Sequence, residues 1–344
     1  MKILTVIGAR PQFIKAAVVS RALIEHRPDV REILVHTGQH YDANMSDVFF
    51  DELNIPRPDH NLGVGGGTHG QNTGRMLEKL EELMLAEQPD WVLVYGDTDS
   101  TLAGALAAAK LHIPVAHVEA GLRSFNHRMP EEINRVLTDH VATLLFAPTE
   151  LARTNLLKEG IAKEKIHVVG DVMYDAALFY KERARKPDWF DAINLRINDY
   201  VLCTIHRAEN TDDSMCMESI LKGLKSANLP VILPLHPRTR SKLAKMNLII
   251  PSNINIVDPV GYLEMVWLEI NSKLIATDSG GVQKEAYFHK KFCVTLRNET
   301  EWIELVSSGV NVLTATDENL IVNALAGLRD LDFSKKFYGD GEDR

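Results

Sequence analysis

The sequence has no apolar run long enough to cross a membrane. Its most apolar stretches, Trp91–Tyr95 and residues 200–205, have the length of strands, whereas a transmembrane helix needs about 18–20 apolar residues. The first apolar run, residues 3–7, ends at Gly8 and is too short for the apolar region of a signal peptide. We therefore expect a cytoplasmic protein without membrane insertion.

Cysteine, metal-binding motifs and clustered positive charge are scarce as well. The three cysteines, Cys203, Cys216 and Cys293, show no CxxC spacing, which favours reduced structural thiols over disulfides or zinc. The 13 histidines include no H-E-x-x-H motif, so we expect no catalytic metal. Acidic residues outnumber basic ones by 47 to 38 and no Lys/Arg-rich run is present, which argues against a nucleic-acid partner.

Short β-branched runs alternate with longer segments of helical period, a pattern typical of βαβ units in parallel sheets. The length of 344 residues suits two domains. We predict two doubly wound α/β domains, 1–172 and 173–344, with a hinge region at about 170–198. The predicted strands are 2–7, 32–37, 91–95, 115–118, 144–147 and 166–169, then 200–205, 231–235, 254–257, 273–277, 292–296 and 310–314, and the predicted helices of the first half are 11–26, 68–86, 98–111 and 130–142.

Polar residues cluster directly after the predicted strands, where ligands of open α/β sheets bind. Any one of these segments is explained by a turn or a helix cap, but seven in order predict an active site in an interdomain cleft. The segments are Gly8-Ala9-Arg10-Pro11, Thr37-Gly38-Gln39-His40, Gly96-Asp97-Thr98, His117-Val118-Glu119, His206-Arg207, His236-Pro237-Arg238 and Asp278-Ser279-Gly280-Gly281.

A phosphate site is predicted at the turn Ser279-Gly280-Gly281, between a strand and a helix. Backbone amides and the helix dipole can hold phosphate oxygens there, although a simple tight turn is the structural alternative. Glu285, one helical turn later, suits ribose hydroxyls. Arg10 and Lys15 supply counter-charges for a diphosphate, unless they are merely solvated.

Three carboxylates indicate proton transfer. Asp97, Glu119 and Glu131 fall at strand ends or at the start of the helix that begins with Pro130. Converging carboxylates shift one another's pKa values, so that one acts as a base while another keeps its proton. Glu132 is instead interpreted as structural, because acids favour first helical turns.

One glycine-rich segment looks like a nucleotide motif but is interpreted as a loop. Gly65-Gly66-Gly67-Thr68-His69-Gly70 satisfies G-x-G-x-x-G, yet it follows no convincing strand. Neither this segment nor a Walker motif supports a redox cofactor, and we expect none.

Together, the ordered motifs resemble the non-hydrolysing UDP-N-acetylglucosamine 2-epimerase family over residues 1 to about 314. The resemblance implies two Rossmann-like domains in a glycosyltransferase-B-like arrangement, a homodimer and a UDP-sugar substrate, with no redox cofactor and no required metal. The motifs are Gly8-Ala9-Arg10-Pro11-Gln12-Phe13-Ile14-Lys15, Thr37-Gly38-Gln39-His40, Gly96-Asp97-Thr98, Val118-Glu119-Ala120-Gly121-Leu122-Arg123, Pro130-Glu131-Glu132-Ile133-Asn134-Arg135, His206-Arg207-Ala208-Glu209-Asn210 and Thr277-Asp278-Ser279-Gly280-Gly281-Val282-Gln283-Lys284-Glu285.

The resemblance also implies a mechanism and roles. The family eliminates UDP across C1–C2 to give a 2-acetamidoglucal and then adds UDP back after protonation of C2 from the opposite face. Asp97, Glu119 and Glu131 match the acid/base set, and His206 matches the group that supports the departing phosphate. UDP contacts are expected at Arg10, Lys15, His236, Ser279, Gly280, Gly281 and Glu285, and sugar contacts at Gln39, His40, Arg128 and Arg207.

Departures from the common motif indicate a branch of the family. Thr300-Glu301-Trp302-Ile303-Glu304 stands where many members have Thr-Glu-Arg-Pro-Glu, and with residues 66–71 and 125–129 it resembles the branch that acts on UDP-2,3-diacetamido-2,3-dideoxy-D-glucuronate for bacterial surface polysaccharide such as O-antigen. His127 or Arg128 would meet the extra carboxylate of that sugar. The alternatives are conversion of UDP-N-acetylglucosamine to UDP-N-acetylmannosamine, or a hydrolysing epimerase or glycosyltransferase on the same scaffold.

Overall fold

The computed structural model describes residues 1–38, 57–193, 195–246, 248–327 and 331–339, apart from the side chains of Arg10, Pro237 and Arg238. The chain forms two compact units. The first is Met1–Ala176 together with the C-terminal segment that starts at Lys336, and the second is Ala177–Lys335.

The first unit is built on a parallel sheet of seven strands. They are β1 (Lys2–Ile7), β2 (Arg31–His36), β3 (His60–Asn61), β4 (Trp91–Tyr95), β5 (Val115–Val118), β6 (Leu144–Ala147) and β7 (Ile166–Val168). Their spatial order is β3-β2-β1-β4-β5-β6-β7. The order reverses between β1 and β4, which is the switch point of a doubly wound sheet and the place where such sheets bind ligands.

The helices of this unit begin where the sequence supplies caps. Thr68, Thr98 and Thr149 each precede a helix and accept a hydrogen bond from a first-turn amide. Pro130 occupies the first position of its helix, where a missing N–H costs nothing. The helices are α1 (Arg10–His26), α2 (His69–Glu87), α3 (Asp99–Lys110), α4 (Pro130–Val141), α5 (Glu150–Lys158) and α6 (Val172–Lys181), within which the chain passes to the second unit.

The second unit repeats the architecture with six parallel strands. They are β8 (Val201–Thr204), β9 (Val231–Pro234), β10 (Ile254–Val257), β11 (Leu274–Thr277), β12 (Phe292–Thr295) and β13 (Asn311–Leu313). Their spatial order is β10-β9-β8-β11-β12-β13. Its helices are α7 (Ala208–Thr211), α8 (Ser214–Lys225), α9 (Pro237–Lys245), α10 (Tyr262–Asn271), α11 (Gly280–Phe288), α12 (Ile303–Ser307) and α13 (Glu318–Ala326). Apolar side chains of the central strands and of α8 and α13 form one continuous core on one side of this sheet.

The predicted strands agree with the observed ones to within one residue at each end. The exception is β3, which the sequence analysis missed because two residues are too few for a periodic pattern. The predicted second domain differs at its end, since the segment from Lys336 belongs to the first unit. The reason is Tyr338, which is 2% exposed and accepts a 3.1 Å hydrogen bond from the amide of Asp171 through its carbonyl.

Within the described residues, no helix combines the length and apolar character that a membrane span requires.

Candidate active site

Two acidic residues of the first unit lie side by side because their strands are in register. Tyr95 pairs with Val118 at the ends of β4 and β5, and the amide of Gly96 donates to the carbonyl of Val118 at 3.0 Å. Asp97 and Glu119 therefore follow adjacent strand ends. The backbone of Glu119 has φ 73°, a left-handed conformation that is uncommon for a non-glycine residue.

Lys15 from α1 forms a buried ion pair with Glu119. The two side chains are 8% and 9% exposed. Gly96 lies beside the pair: a Cβ atom there would be 3.2 Å from both Lys15 Nζ and Glu119 Oε2. The strand end thus brings a cation, a carboxylate and a bare backbone segment together, and the Lys15 charge favours the ionised form of Glu119.

Asp97 is held by Arg135 of α4. Arg135 donates to Asp97 Oδ2 from Nη2 at 2.6 Å and from Nε at 3.0 Å, and its Nη1 donates to Glu132 Oε2 at 2.8 Å. Burial alone would raise the pKa of Glu132, but hydrogen bonds from the Ser124 amide, Arg135 and the Phe125 amide lower it on balance. Glu132 is 1% exposed, which supports its interpretation as structural.

A second buried ionic group lies beneath the same two loops. His117 Nδ1 is 2.7 Å from Asp139 Oδ1, and its Nε2 is 2.7 Å from the carbonyl oxygen of Gly96. The other carboxylate oxygen of Asp139 accepts from the Gly121 amide at 3.0 Å and lies 2.8 Å from Arg123 Nη1. One carboxylate on α4 is therefore linked to both acid-bearing loops.

His69, in the glycine-rich segment interpreted as a loop, contacts this region from α2. Its Nδ1 is 3.0 Å from Asp99 Oδ2, and Asp99 is 5% exposed. Asn134 Nδ2 donates to Asp99 Oδ1 at 3.2 Å and to the carbonyl of Asp97 at 2.9 Å. The segment thus has a structural contact with the loop of Asp97.

Glu131 differs from the other two predicted acids. It is exposed in the first turn of α4, next to the buried Glu132. Arg128, a predicted sugar contact, is also exposed in the loop before α4, and its amide donates to Asn126 Oδ1 at 3.1 Å. Both side chains are accessible to a ligand.

In the second unit, Asp278 organises the loop that contains His206. The carboxylate of Asp278 is fully buried and accepts hydrogen bonds from the amides of His206 and Arg207 and from Asn210 Nδ2, all at 3.0 Å. Arg207 Nε donates to the carbonyl of Asp278 at 3.2 Å. The imidazole of His206 is exposed. Asp278 therefore joins the end of β11 to the end of β8.

The predicted phosphate turn is the N-terminus of α11. Ser279 is the N-cap, and its hydroxyl accepts from the Val282 amide at 3.4 Å. Gly280 and Gly281 form the first turn, where backbone N–H groups and the helix dipole favour an anion. A Cβ atom on Gly280 would contact its neighbours only at 3.7 Å or more, so the turn leaves room above it.

Trp302, one of the departures from the family motif, supports this turn. Its Nε1 donates to the carbonyl of Gly280 at 2.9 Å, and Lys284 Nζ lies 4.3 Å from the centre of the Trp302 ring system. Arg297 forms a buried ion pair with Glu301 through bonds of 3.1 and 3.2 Å. The tryptophan is 4% exposed and thus part of the scaffold.

Glu285 is 7% exposed and accepts a hydrogen bond from the phenol of Tyr262 at 3.3 Å. Burial and then the charge of Glu285 raise the pKa of Tyr262 well above its usual value, so this phenol remains a donor. His236, the other predicted UDP contact here, is exposed after β9.

Two predicted sugar contacts, Gln39 and His40, lie outside the described residues, as does the side chain of Arg10. The backbone around Arg10 is ordered by Gln12, whose Oε1 accepts from the amides of Gly8 and Ala9 at 2.8 and 3.0 Å. Gln12 therefore shapes the turn that presents Arg10.

The sequence analysis missed the residues that hold the acids in place. Arg135, Asn134 and Asp139 all lie on α4: Arg135 and Asp139 are four residues apart, the spacing that puts side chains on a common face, and Asn134 is next to Arg135. This spacing was the available signal. Among the described residues, no group of three or more His, Cys, Asp or Glu side chains is arranged to hold a metal ion.

Comparison with known proteins identifies the family. Residues 22–343 match UDP-N-acetylglucosamine 2-epimerase. The chain is 57% identical over 330 residues to the UDP-2,3-diacetamido-2,3-dideoxy-D-glucuronate 2-epimerase of Pseudomonas aeruginosa, a match that covers 94% of this chain and 91% of that protein.

Solved structures agree with this match. The UDP-GlcNAc 2-epimerase of Methanocaldococcus jannaschii, in complex with UDP-GlcNAc and UDP, has a TM-score of 0.90 and 45% identity and covers 100% of this chain and 97% of its own. The enzyme of Neisseria meningitidis bound to UDP-GlcNAc has a TM-score of 0.86 and 32% identity, with 95% of this chain and 91% of its own covered.

The predicted fold class is thereby confirmed: an α/β protein with two Rossmann-like doubly wound domains of the glycosyltransferase-B type. The chain belongs to the UDP-N-acetylglucosamine 2-epimerase family and is an isomerase, a UDP-sugar 2-epimerase of the non-hydrolysing kind.

Proposed function

We propose that this chain interconverts UDP-2,3-diacetamido-2,3-dideoxy-D-glucuronate and its C2 epimer. The observation that supports this proposal best is the pair of acids at adjacent strand ends, Asp97 and Glu119, each ion-paired to a cation. A neighbouring cation favours the ionised form of a carboxyl group, which is the form that accepts a proton from carbon.

In the first step a carboxylate removes the proton from C2, the C2–H electrons form a C1=C2 double bond, and the C1–O bond breaks as UDP leaves with the electron pair. In the second step a protonated acid on the opposite face gives its proton to C2, the C1=C2 electrons form the new C2–H bond, and UDP adds back to C1 with its own electron pair. The two faces need two proton-transfer groups. Asp97, Glu119 and Glu131 are the proposed set, since they sit on three separate segments.

The proposed UDP site uses the first turn of α11. The amides of Gly280 and Gly281 and the Ser279 hydroxyl suit phosphate oxygens, and Glu285 suits the ribose hydroxyls. His206 faces solvent from a loop that Asp278 holds rigid, so it can support the phosphate as it departs. Arg10, Lys15 and His236 are further proposed UDP contacts, and Lys15 also serves Glu119.

The choice of sugar rests on the relatives and on charge. The Pseudomonas aeruginosa relative is named for the diacetamido glucuronate sugar, and that sugar has a carboxylate that UDP-N-acetylglucosamine lacks. Arg128 offers an exposed cation directly before the helix of Glu131. Gln39, His40 and Arg207 are proposed sugar contacts as well.

We further propose a cytoplasmic homodimer that needs neither a redox cofactor nor a metal and serves the synthesis of bacterial surface polysaccharide such as O-antigen. Ile133 and Leu137, four residues apart on α4, are 45% and 47% exposed, which gives an apolar face suited to a partner subunit.

Incubation with each UDP-sugar in D2O, followed by proton NMR, tests the function. We expect the diacetamido glucuronate sugar to form its C2 epimer with deuterium at C2, and to be used with a higher kcat/KM than UDP-N-acetylglucosamine. Faster turnover of UDP-N-acetylglucosamine would show that this sugar, and not the diacetamido glucuronate, is the preferred substrate. Release of free sugar and UDP would instead identify a hydrolysing enzyme.

A further inference from the structure

His117 lies in the interior of the first unit and belongs to none of the roles above. Its side chain is fully buried on β5, two residues before Glu119. Both ring nitrogens have a partner at 2.7 Å: Nδ1 faces Asp139 Oδ1, and Nε2 faces the carbonyl oxygen of Gly96.

Neither partner has a hydrogen to donate. A backbone carbonyl is only an acceptor. The Asp139 carboxyl group accepts from the Gly121 amide and is ion-paired with Arg123 Nη1 at 2.8 Å, contacts that favour its ionised form. Both ring nitrogens must therefore donate, which requires both to be protonated.

The surroundings balance the charge that this protonation creates. Asp139 lies between His117 and Arg123, whose Nη1 is 2.8 Å from Asp139 Oδ2. Arg123 in turn donates to Glu159 from Nε and Nη2, at 2.7 Å each. Two cations and two carboxylates alternate along this row, and each buried charge has an opposite neighbour, the condition under which buried ions are tolerated.

We propose that His117 carries hydrogen on both ring nitrogens and is a positioning residue for both acid-bearing loops. Through Nε2–H it holds the carbonyl of Gly96, the residue before Asp97. Through Asp139 it is coupled to the Gly121 amide, which follows Glu119 by two residues. The backbone at Glu119 has φ 73°, a left-handed conformation that is strained for a non-glycine residue and persists only where surrounding contacts impose it.

A neutral imidazole cannot keep both bonds, because its bare nitrogen would face an oxygen lone pair. Either the Gly96 carbonyl or the Asp139 carboxylate would be released, and with it Asp97 or Glu119 would move. Displacement of a catalytic group by about 1 Å can cost about a hundredfold in rate. The charge on His117 is thus linked to the geometry of proton transfer, while the UDP site of the second unit is not involved.

Nitrogen-15 NMR of the histidine-labelled protein at pH 8 tests the protonation state without substrate. A free imidazole is mostly neutral there, because its ordinary pKa is about 6.5. We expect one ring with hydrogen on both nitrogens, absent from His117→Gln and retained in His26→Gln, an exposed histidine at the end of α1. If His117→Gln does not fold, through-bond correlation assigns the ring in the unaltered protein. A single ring hydrogen at His117 would overturn the proposal.

Kinetics tests the positioning role, which rests on the proposed function. Glutamine at position 117 can donate only one of the two bonds, so His117→Gln should lower kcat by about ten- to a hundredfold, with unchanged UDP affinity and little change in KM. An equal fall of UDP affinity and kcat would indicate general unfolding and contradict positioning. If the unaltered chain proves inactive on UDP-sugars, the proposed function fails, yet the NMR result still stands.

Discussion

Lys15 and Glu119 form a buried ion pair although 104 residues separate them in the chain. The pair joins the helix that follows β1 to the end of β5, and the switch point of the sheet lies between β1 and β4. Lys15 was predicted to contact UDP, and that role stays a prediction. Its contact with Glu119 indicates a second role, because a cation beside a carboxylate favours the ionised form that accepts a proton.

Removal of the Lys15 charge should impair proton transfer more than UDP binding. In Lys15→Gln the Glu119 carboxylate is left buried without its cation, and we expect kcat to fall at least about tenfold, the equivalent of about 1.4 kcal/mol. Lys15→Arg keeps the charge and should retain more activity. In urea unfolding, the double variant with Glu119→Gln should be less destabilised than the sum of the single variants. Strict additivity would show that the pair is not coupled.

The phosphate turn should tolerate a methyl group but not a negative charge. A Cβ on Gly280 meets only ordinary contacts, the nearest being Glu301 Oε2 at 3.7 Å. Gly280→Ala should therefore bind UDP nearly as the unaltered protein does in calorimetry, whereas Gly280→Asp should weaken binding at least about tenfold, because it places a carboxylate at an anion site. Equal UDP affinity in the two variants would show that the turn is not part of the UDP site.

Glu132 should make stability depend on acid pH. Its pKa is lowered in the folded chain from the ordinary value of 4.5, so its contribution is present above that pH and is lost as the pH falls through the folded value. At pH 7 we expect Glu132→Gln to lower the free energy of unfolding by about 1–3 kcal/mol, with a smaller difference below about pH 4. Glu131→Gln, on the exposed side of the same turn, is the control. A constant difference at all pH values would contradict the assigned shift.

Strand positions and motif order could be read from this sequence because parallel strands are short, β-branched and followed by polar turns. The side chains that hold the acids could not. Arg135 and Asp139 look like ordinary surface charges of an amphipathic helix until the fold places α4 beneath the ends of β4 and β5. Glu132 was interpreted as structural from the sequence, but its burial, one step of helical rotation from the exposed Glu131, is seen only in the fold.

Alanine substitutions at Gly121 and Gly160 distinguish the cost of a steric clash from the cost of a left-handed backbone. A Cβ at Gly121 would lie 2.5 Å from the Ala152 carbonyl oxygen, while Gly160, with the same left-handed backbone, has nothing within 4 Å. Gly121→Ala should therefore lower the free energy of unfolding by about 3 kcal/mol or more, and Gly160→Ala by only about 1 kcal/mol. Thermal unfolding followed by circular dichroism measures both, and equal losses would refute the close approach.

The amide variants of the three acids test their shared role. Asp97→Asn, Glu119→Gln and Glu131→Gln each keep the shape of the side chain but remove its ionisable proton. We expect kcat to fall by about 10²–10⁴ in each, with UDP affinity near that of the unaltered protein in calorimetry. A variant that exchanges deuterium at C2 at an unchanged rate would show that the substituted acid takes no part in proton transfer.

In the proposed mechanism UDP leaves C1 and returns to it, and positional isotope exchange measures this event. The UDP-sugar is prepared with ¹⁸O in the bond between C1 and the β-phosphate and incubated until part of it is epimerised. Because the β-phosphate oxygens of free UDP become equivalent, we expect ¹⁸O to spread into the non-bridging positions, which is seen as a shifted phosphorus-31 signal. Epimerisation with deuterium at C2 but with all ¹⁸O still in the bridge after many turnovers would contradict the departure of UDP as a freely rotating diphosphate.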